Sequence, residues 1–159
     1  MAIEIERKFR VVSDSWRRSI SGSEAMVQAY LANTETGSVR VRIAGSRAWL
    51  NIKGMRIGPE RPEFEYAIPL ADARELMTLC AGGVVEKTRH IVEVEGHRFE
   101  VDEFEGQNQG LVVAELELAH VDADYPRPAW LGAEVTDQAR YYNIMLAEHP
   151  YQNWTHAER

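Results

Sequence analysis

The stretch Val39-Arg40-Val41-Arg42-Ile43 alternates strictly between aliphatic and basic side chains. A period of two residues is typical of a β-strand, because successive side chains of a strand point to opposite faces of the sheet. The same alternation continues outward along the chain in both directions, and glycine-rich turn signals separate the segments. Eight strands are predicted, at Ile3–Val12, Ala25–Asn33, Ser38–Ala44, Ala48–Gly54, Glu63–Leu70, Val84–Glu95, Arg98–Phe104 and Leu111–Ala119.

Two or three helices are expected between and after these strands, from residues that cap helices and from apolar residues at helical spacing. They are predicted from Ser13 or Asp14 to Ile20, over Ala73–Leu79 with Asp72 as the cap, and from Thr136 or Asp137 to about Glu148. The pair Gly96-His97 between two alternating runs predicts a tight hairpin turn. Residues 1–150 are interpreted as a single domain, and residues 151–159, which lack periodicity, as a loosely ordered tail.

The bulk composition excludes several classes of protein. With 159 residues, 45% of them hydrophobic and 27% charged, the chain resembles an ordinary globular domain. The net charge of −7 and the lack of a basic run argue against nucleic acid as the main partner. No apolar run is long enough to span a membrane. A single cysteine, Cys80, fits a reducing cytoplasm and is interpreted as a core residue.

The polar positions of the strands are almost all charged, which is unusual for a solvated sheet face, where threonine is common. Like charges two residues apart repel one another unless opposite charges or ions lie nearby. Two interpretations stay open: an open sheet with one charged face in water, or a closed barrel whose charged positions line the interior. A charged interior would need water, divalent cations and a polyanion to offset the cost of desolvation.

A Glu-x-Glu-x-Lys motif, Glu4-Ile5-Glu6-Arg7-Lys8, stands at the start of this series of charged strands. It is followed in order by Val39–Arg42, Leu50–Lys53, Glu63–Tyr66, Glu86–Arg89, Glu100–Phe104, Glu115–Leu118, Trp130–Thr136 and Arg140–Asn143. The series resembles the CYTH family, also called triphosphate tunnel metalloenzymes, and in particular its short bacterial members. The resemblance extends from Glu4 to about Asn143.

The resemblance implies a mainly β (α+β) fold, a closed eight-stranded antiparallel β-barrel or tunnel with helices packed outside. It also implies hydrolysis of inorganic triphosphate to diphosphate and phosphate, with Mg²⁺ or Mn²⁺ as the cofactor. A class IV adenylate cyclase and a nucleoside or thiamine triphosphatase are the alternatives. The expected partner is a small triphosphate substrate, and the resemblance is compatible with a homodimer.

The resemblance also implies a role for each charged strand position. The positions that match phosphate-binding residues are Lys8, Arg40, Arg42, Lys53, Lys87 and Arg89. The positions that match metal-binding carboxylates are Glu4, Glu6, Glu63, Glu65, Asp102, Glu115 and Glu117. Lys8 and Tyr30 are expected to contribute to catalysis, and either Glu115 or Glu117 to orient the attacking water. Arg56 and Arg61, between two strands, are interpreted as solvated loop residues.

Overall fold

The protein is dominated by antiparallel strands; the computed structural model describes residues 2–159. The strands are β1 Ala2–Val11, β2 Ile20–Asn33, β3 Gly37–Ala44, β4 Arg47–Gly54, β5 Glu60–Ile68, β6 Ala81–Val94, β7 His97–Phe104, β8 Val112–Glu117 and β9 Leu131–Glu134. Eight of them correspond to the predicted strands. The four-residue β9 was not predicted, because so short a segment carries no measurable alternation.

The first eight strands form a closed barrel. Their order is β5-β4-β3-β2-β6-β7-β8-β1, and β1 pairs in turn with β5, which closes the ring. β5 pairs with β1 over Ala2–Ile5, and β9 pairs with the same edge of β1 further along, at Phe9 and Val11. The expected closed eight-stranded antiparallel barrel is therefore confirmed.

The charged positions of the strands face the inside of this barrel. Cross-strand partners share a face of a sheet, and the register pairs charged positions with each other, as in Lys8↔Glu115 and Lys53↔Glu63. Lys8 and Lys87 retain only 3% and 2% of their exposure. An open sheet would leave them in water, so the interpretation as a solvated face is wrong.

The aliphatic positions face outward and are covered by other elements. The α-helix α1, Leu70–Leu79, packs its buried Ala73 against Val41 and Ala48. It begins after Pro69, earlier than predicted, and Asp72 lies in its first turn without capping it, since Pro69 already sets the start. The first predicted helix is a five-residue 3₁₀ turn, Ser15–Ser19, whose Trp16 is buried against the barrel wall.

The C-terminal segment covers one end of the barrel. Its α-helix, α2, spans Asn143–Glu148 and starts later than predicted, because the preceding residues continue from β9 through a 3₁₀ turn, Ala139–Tyr141. The inward-facing Val85, Phe104 and Val113 pack against side chains of this segment. In the segment 151–159, expected to be a loosely ordered tail, Trp154 is 5% exposed and packs edge-on against Tyr141 at 5.1 Å between ring centroids.

The hairpin between β6 and β7 turns one residue earlier than predicted. Val94 pairs with His97, so the two turn residues are Glu95 and Gly96. Both have positive φ, 48° and 79°, as a type I′ turn requires. Within residues 2–159, no helix is both long and apolar enough to cross a membrane.

Candidate active site

The interior of the barrel is a cavity of about 950 Å³ lined mainly by charged side chains, here called the barrel cavity. It brings together nearly all the side chains to which a role was assigned from the sequence. Those that line it are Glu4, Glu6, Lys8, Tyr30, Arg40, Arg42, Lys53, Glu63, Glu65, Lys87, Arg89, Glu115 and Glu117. Strands far apart in sequence supply them, because the alternation aims every second side chain of each strand inward.

Arg40 and Arg42 on β3 form a positively charged region that is only partly compensated, by the ion pair of Arg42 with Glu65 at 2.7 Å. Arg40 is 7% exposed, and it forms no ion pair with any residue of the described chain. Its Nε, like the Nε of Arg42, is buried and has no hydrogen-bond partner among residues 2–159. Burial and the neighbouring Arg40 lower the pKa of Arg42. A buried cation without a partner is costly, so this region is suited to an anion that enters from solvent.

Lys87 and Arg89 on β6 are held by Asp102 on β7. The Lys87 Nζ lies 2.5 Å from Oδ2 of Asp102, and the Nε of Arg89 lies 2.7 Å from its Oδ1. Burial opposes ionisation of Asp102, but Arg89 and Lys87 outweigh it and lower its pKa. Asp102 is fully buried behind these cations and does not line the barrel cavity, in contrast to its expected contact with a metal ion.

Lys8, Glu115 and Glu6 form a second group on β1 and β8. The Lys8 Nζ lies 2.5 Å from Oε1 of Glu115, whose Oε2 accepts a 2.8 Å bond from Arg89. Burial opposes ionisation of Glu115, but Lys8 and Arg89 hold its pKa well below the usual range. Burial and the charge of Glu115 raise the pKa of Glu6 to about 7. The charge of Lys8, 3.7 Å away, opposes this increase in the pKa but does not cancel it.

Arg61 belongs to the cavity, which corrects its interpretation as a solvated loop residue. It lies on β5 directly opposite Glu4 of β1, and its Nε donates to Oε2 of Glu4 at 3.0 Å. Lys53 approaches the same oxygen at 2.9 Å. Gly58 and Pro59 favoured a loop at this point, but Arg61 has the same parity as Glu63 and Glu65, and that signal could have identified it.

The C-terminal segment adds two cavity residues whose roles the sequence did not reveal, Tyr142 and Asn143. The Asn143 Oδ1 accepts hydrogen bonds from Gln28 at 2.8 Å and from Lys87 at 3.2 Å. The Tyr142 ring lies beside two cations, with its centroid 5.9 Å from Lys8 Nζ and 5.3 Å from the Arg61 guanidinium carbon. The Arg140–Asn143 motif indicated this segment, but not the direction of its side chains.

The cavity carboxylates are suited in chemistry to a divalent cation. Their donors are all oxygen, which hard cations prefer. Burial and the charge of Glu115 raise the pKa of Glu6, and a bound cation would offset both effects. In the described part of the chain, no three acidic, histidine or cysteine side chains converge as a ready metal site. Glu4 and Glu115 are instead paired with lysine and arginine. Cation binding would therefore require those pairs to separate.

Known proteins share this fold and this chain length. The CYTH domain model matches residues 2–149. An inorganic triphosphatase of Acetivibrio thermocellus is 41% identical over 155 residues, which cover 97% of this chain and 99% of the relative. An inorganic triphosphatase of Nitrosomonas europaea is 33% identical over 150 residues, with 91% and 96% coverage. A crystal structure of an inorganic triphosphatase superposes with a TM-score of 0.66 at 32% identity, covering 92% of this chain and 95% of that one. The chain belongs to the CYTH domain family.

Proposed function

We propose that the protein hydrolyses inorganic triphosphate to diphosphate and phosphate inside the barrel cavity, with a divalent cation. The observation that carries the proposal is the buried guanidinium of Arg40, which has no carboxylate partner within residues 2–159. Such a group is suited to an anion from solvent. Two relatives that align over nearly the whole chain are inorganic triphosphatases.

Substrate binding is assigned to the six cations of the cavity. Triphosphate carries about four to five negative charges at neutral pH, and its hydrolysis depends mainly on positioning and charge stabilisation. Arg40, which has no ion pair within residues 2–159, is free to bind phosphate oxygens at once. The other five cations are paired with carboxylates and would exchange those partners, wholly or in part, for phosphate; they are Lys8, Arg42, Lys53, Lys87 and Arg89.

The same exchange supplies ligands for the cation, for which we propose Mg²⁺ or Mn²⁺. Family membership implies a divalent metal. Glu4, Glu6, Glu63, Glu65, Glu115 and Glu117 are the proposed source of its ligands, whereas Asp102 keeps Lys87 and Arg89 in place. When bound, such a cation neutralises charge on phosphate and acidifies a water molecule.

Glu117 is the better candidate for orienting the attacking water. Both oxygens of Glu115 already accept hydrogen bonds, from Lys8 and Arg89. Glu117 lines the cavity and has no ion pair within the described chain, and burial together with the charge of Glu4 raises its pKa. A carboxylate with free oxygens and a raised pKa can accept a proton from water.

Tyr30 and Lys8 are proposed to assist at the phosphate. Burial raises the pKa of Tyr30, although the nearby Arg40 opposes that effect. The phenol therefore stays neutral and can donate a hydrogen bond. Burial opposes the charged form of Lys8, but Glu115 and Glu6 outweigh burial and raise its pKa. Lys8 thus remains a cation throughout the neutral range.

The test is a product assay with inorganic triphosphate, ATP and thiamine triphosphate in Mg²⁺ or Mn²⁺, followed by chelator. We expect rapid release of phosphate from inorganic triphosphate, slower release from the other two, no cyclic AMP, and complete loss of activity in chelator. Cyclic AMP formation from ATP would instead identify a cyclase. Faster turnover of ATP or thiamine triphosphate would identify a nucleotidase or thiamine triphosphatase. The homodimer and the cytoplasmic location stay predictions, which light scattering and cell fractionation would test.

A further inference from the structure

Arg61 holds the carboxylates that the proposed function assigns to the divalent cation. Its Nε lies 3.0 Å from Oε2 of Glu4, and its Nη2 lies 3.5 Å from Oε1 of Glu6. One guanidinium thus spans both acidic residues of the Glu-x-Glu-x-Lys motif. The Arg61 side chain is only 14% exposed, so these contacts are weakly screened by solvent.

If Glu4 and Glu6 bind another cation, Arg61 can move to a neighbouring position within the cavity. Its guanidinium carbon lies 5.3 Å from the centroid of the Tyr142 ring, and Lys8 lies 5.9 Å from the same ring. The ring is held by its hydroxyl, which donates to the carbonyl of Thr136 at 2.5 Å. An arginine released from Glu4 and Glu6 can therefore stay in the cavity, next to a lysine proposed to bind phosphate.

We propose that Arg61 occupies the place of the divalent cation between Glu4 and Glu6 in the empty enzyme, and becomes a further phosphate-binding residue when that cation displaces it. This inference rests on the proposed function. It makes metal and substrate binding cooperative, because the metal ion frees a cation for the triphosphate. By reciprocity, bound triphosphate would hold Arg61 away from the carboxylates and so strengthen metal binding.

The competing explanation is structural. Arg61 and Glu4 are direct partners across the β1–β5 seam that closes the barrel. An ion pair there could serve only to hold the seam together. The two explanations differ in the sign of one measurement, the affinity for metal in the absence of substrate. A competitor for Glu4 and Glu6 weakens metal binding, whereas a brace that keeps the carboxylates in place strengthens it.

The experiment measures the dissociation constant of Mn²⁺ alone, by electron paramagnetic resonance, and the KM for inorganic triphosphate in saturating Mn²⁺. For Arg61→Gln we expect Mn²⁺ to bind on the order of fivefold more tightly than to the wild type, and KM to rise by a similar or larger factor. The control is Arg56→Gln, since Arg56 lines the same cavity but is exposed and has no ion pair among residues 2–159. Neither quantity should change in it.

Unchanged or weaker Mn²⁺ binding in Arg61→Gln would overturn the inference, and so would an unchanged KM. A lower melting temperature of this variant is compatible with the inference, because weakening the β1–β5 seam cannot by itself tighten metal binding. Failure of the proposed function has a different signature: the wild type would bind no Mn²⁺ or would leave triphosphate intact. The two failures are therefore distinguishable.

Discussion

Arg40 and Arg89 carry the same charge in the same cavity but have opposite surroundings. Arg40 has no ion pair in the described chain, whereas Arg89 contacts Asp102, Glu115 and Glu100. Arg40→Ala should lower kcat/KM for triphosphate about a hundredfold to a thousandfold and leave the free energy of unfolding equal or higher, since it removes an uncompensated buried charge. Enzyme assays and urea denaturation measure the two effects.

Arg89→Ala should lose both activity and stability. It leaves the fully buried Asp102 with Lys87 alone, at a cost of up to about 3–5 kcal/mol in the free energy of unfolding. The exposed Arg18 provides the control, since Arg18→Ala should stay within about 0.5 kcal/mol of the wild type with full activity. Equal rates for Arg40→Ala and Arg18→Ala would contradict an anion site at β3.

The pKa of Glu6 predicts how stability depends on pH in chelator. It is about 7 in the folded protein, against 4.5 as the ordinary value. Between these values the folded state retains a proton that the unfolded state has released, so this contribution is complete below pH 4.5 and is lost as pH rises through 7. Glu6→Gln should therefore flatten the fall in stability between about pH 5 and pH 7. Urea denaturation at each pH measures this fall in the free energy of unfolding. An equally steep fall in the variant would contradict the assignment.

The strands were predictable because each carries its own signal. In β3, one parity is aliphatic and the other charged, which predicts both the strand and the face that Arg40 and Arg42 share. Closure of the barrel is not visible in that pattern, since a solvated face has the same alternation; the ordered motifs of the family supplied it. Arg61 was missed because Gly58 and Pro59 resemble a loop. Pro62 nevertheless lies within β5, where this strand pairs with β1 at the seam of the barrel.

The C-terminal segment was the least predictable element, because tertiary packing rather than periodicity orders it. Trp154 packs against Tyr141 and Tyr151, and its Nε1 donates to the carbonyl of His149 at 3.1 Å. No local sequence pattern predicts contacts of this kind. Two aromatic residues in a polar tail, Tyr151 and Trp154, are equally compatible with a disordered end.

Trp154→Ala should therefore destabilise the protein by about 3–5 kcal/mol, as expected for the loss of a large buried aromatic side chain. The matched control is His156→Ala, two residues further on and exposed, which should change the free energy of unfolding by less than about 0.5 kcal/mol. Urea denaturation of the two variants measures both changes in the free energy of unfolding. A Trp154→Ala variant as stable as the wild type would mean that the segment contributes nothing to closing the barrel end.

On the scale of the whole molecule, the fold encloses more charge than its own ion pairs can satisfy. Lys8, Lys53 and Arg89 are paired inside the barrel, Arg40 is not, and Glu6 has a raised pKa. Both kinds of excess charge are removed together if a polyanion and a divalent cation enter together. A polyanion alone would neutralise Arg40 but would add negative charge near Glu6. A divalent cation alone would neutralise the carboxylates but would add positive charge near Arg40.

Inorganic triphosphate and Mg²⁺ should therefore stabilise the protein far more together than the sum of their separate effects. At about a hundred times its dissociation constant, a ligand adds roughly 2.7 kcal/mol, which raises the melting temperature of a domain of this size by roughly 5–10 °C. Calorimetric scans would use enough triphosphate that hydrolysis consumes a negligible share, with sulfate at equal ionic strength as the control. Arg40→Ala should lose most of the shift. Additive shifts would contradict the exchange of ion pairs, and a shift with ATP equal to that with triphosphate would favour a nucleotide substrate.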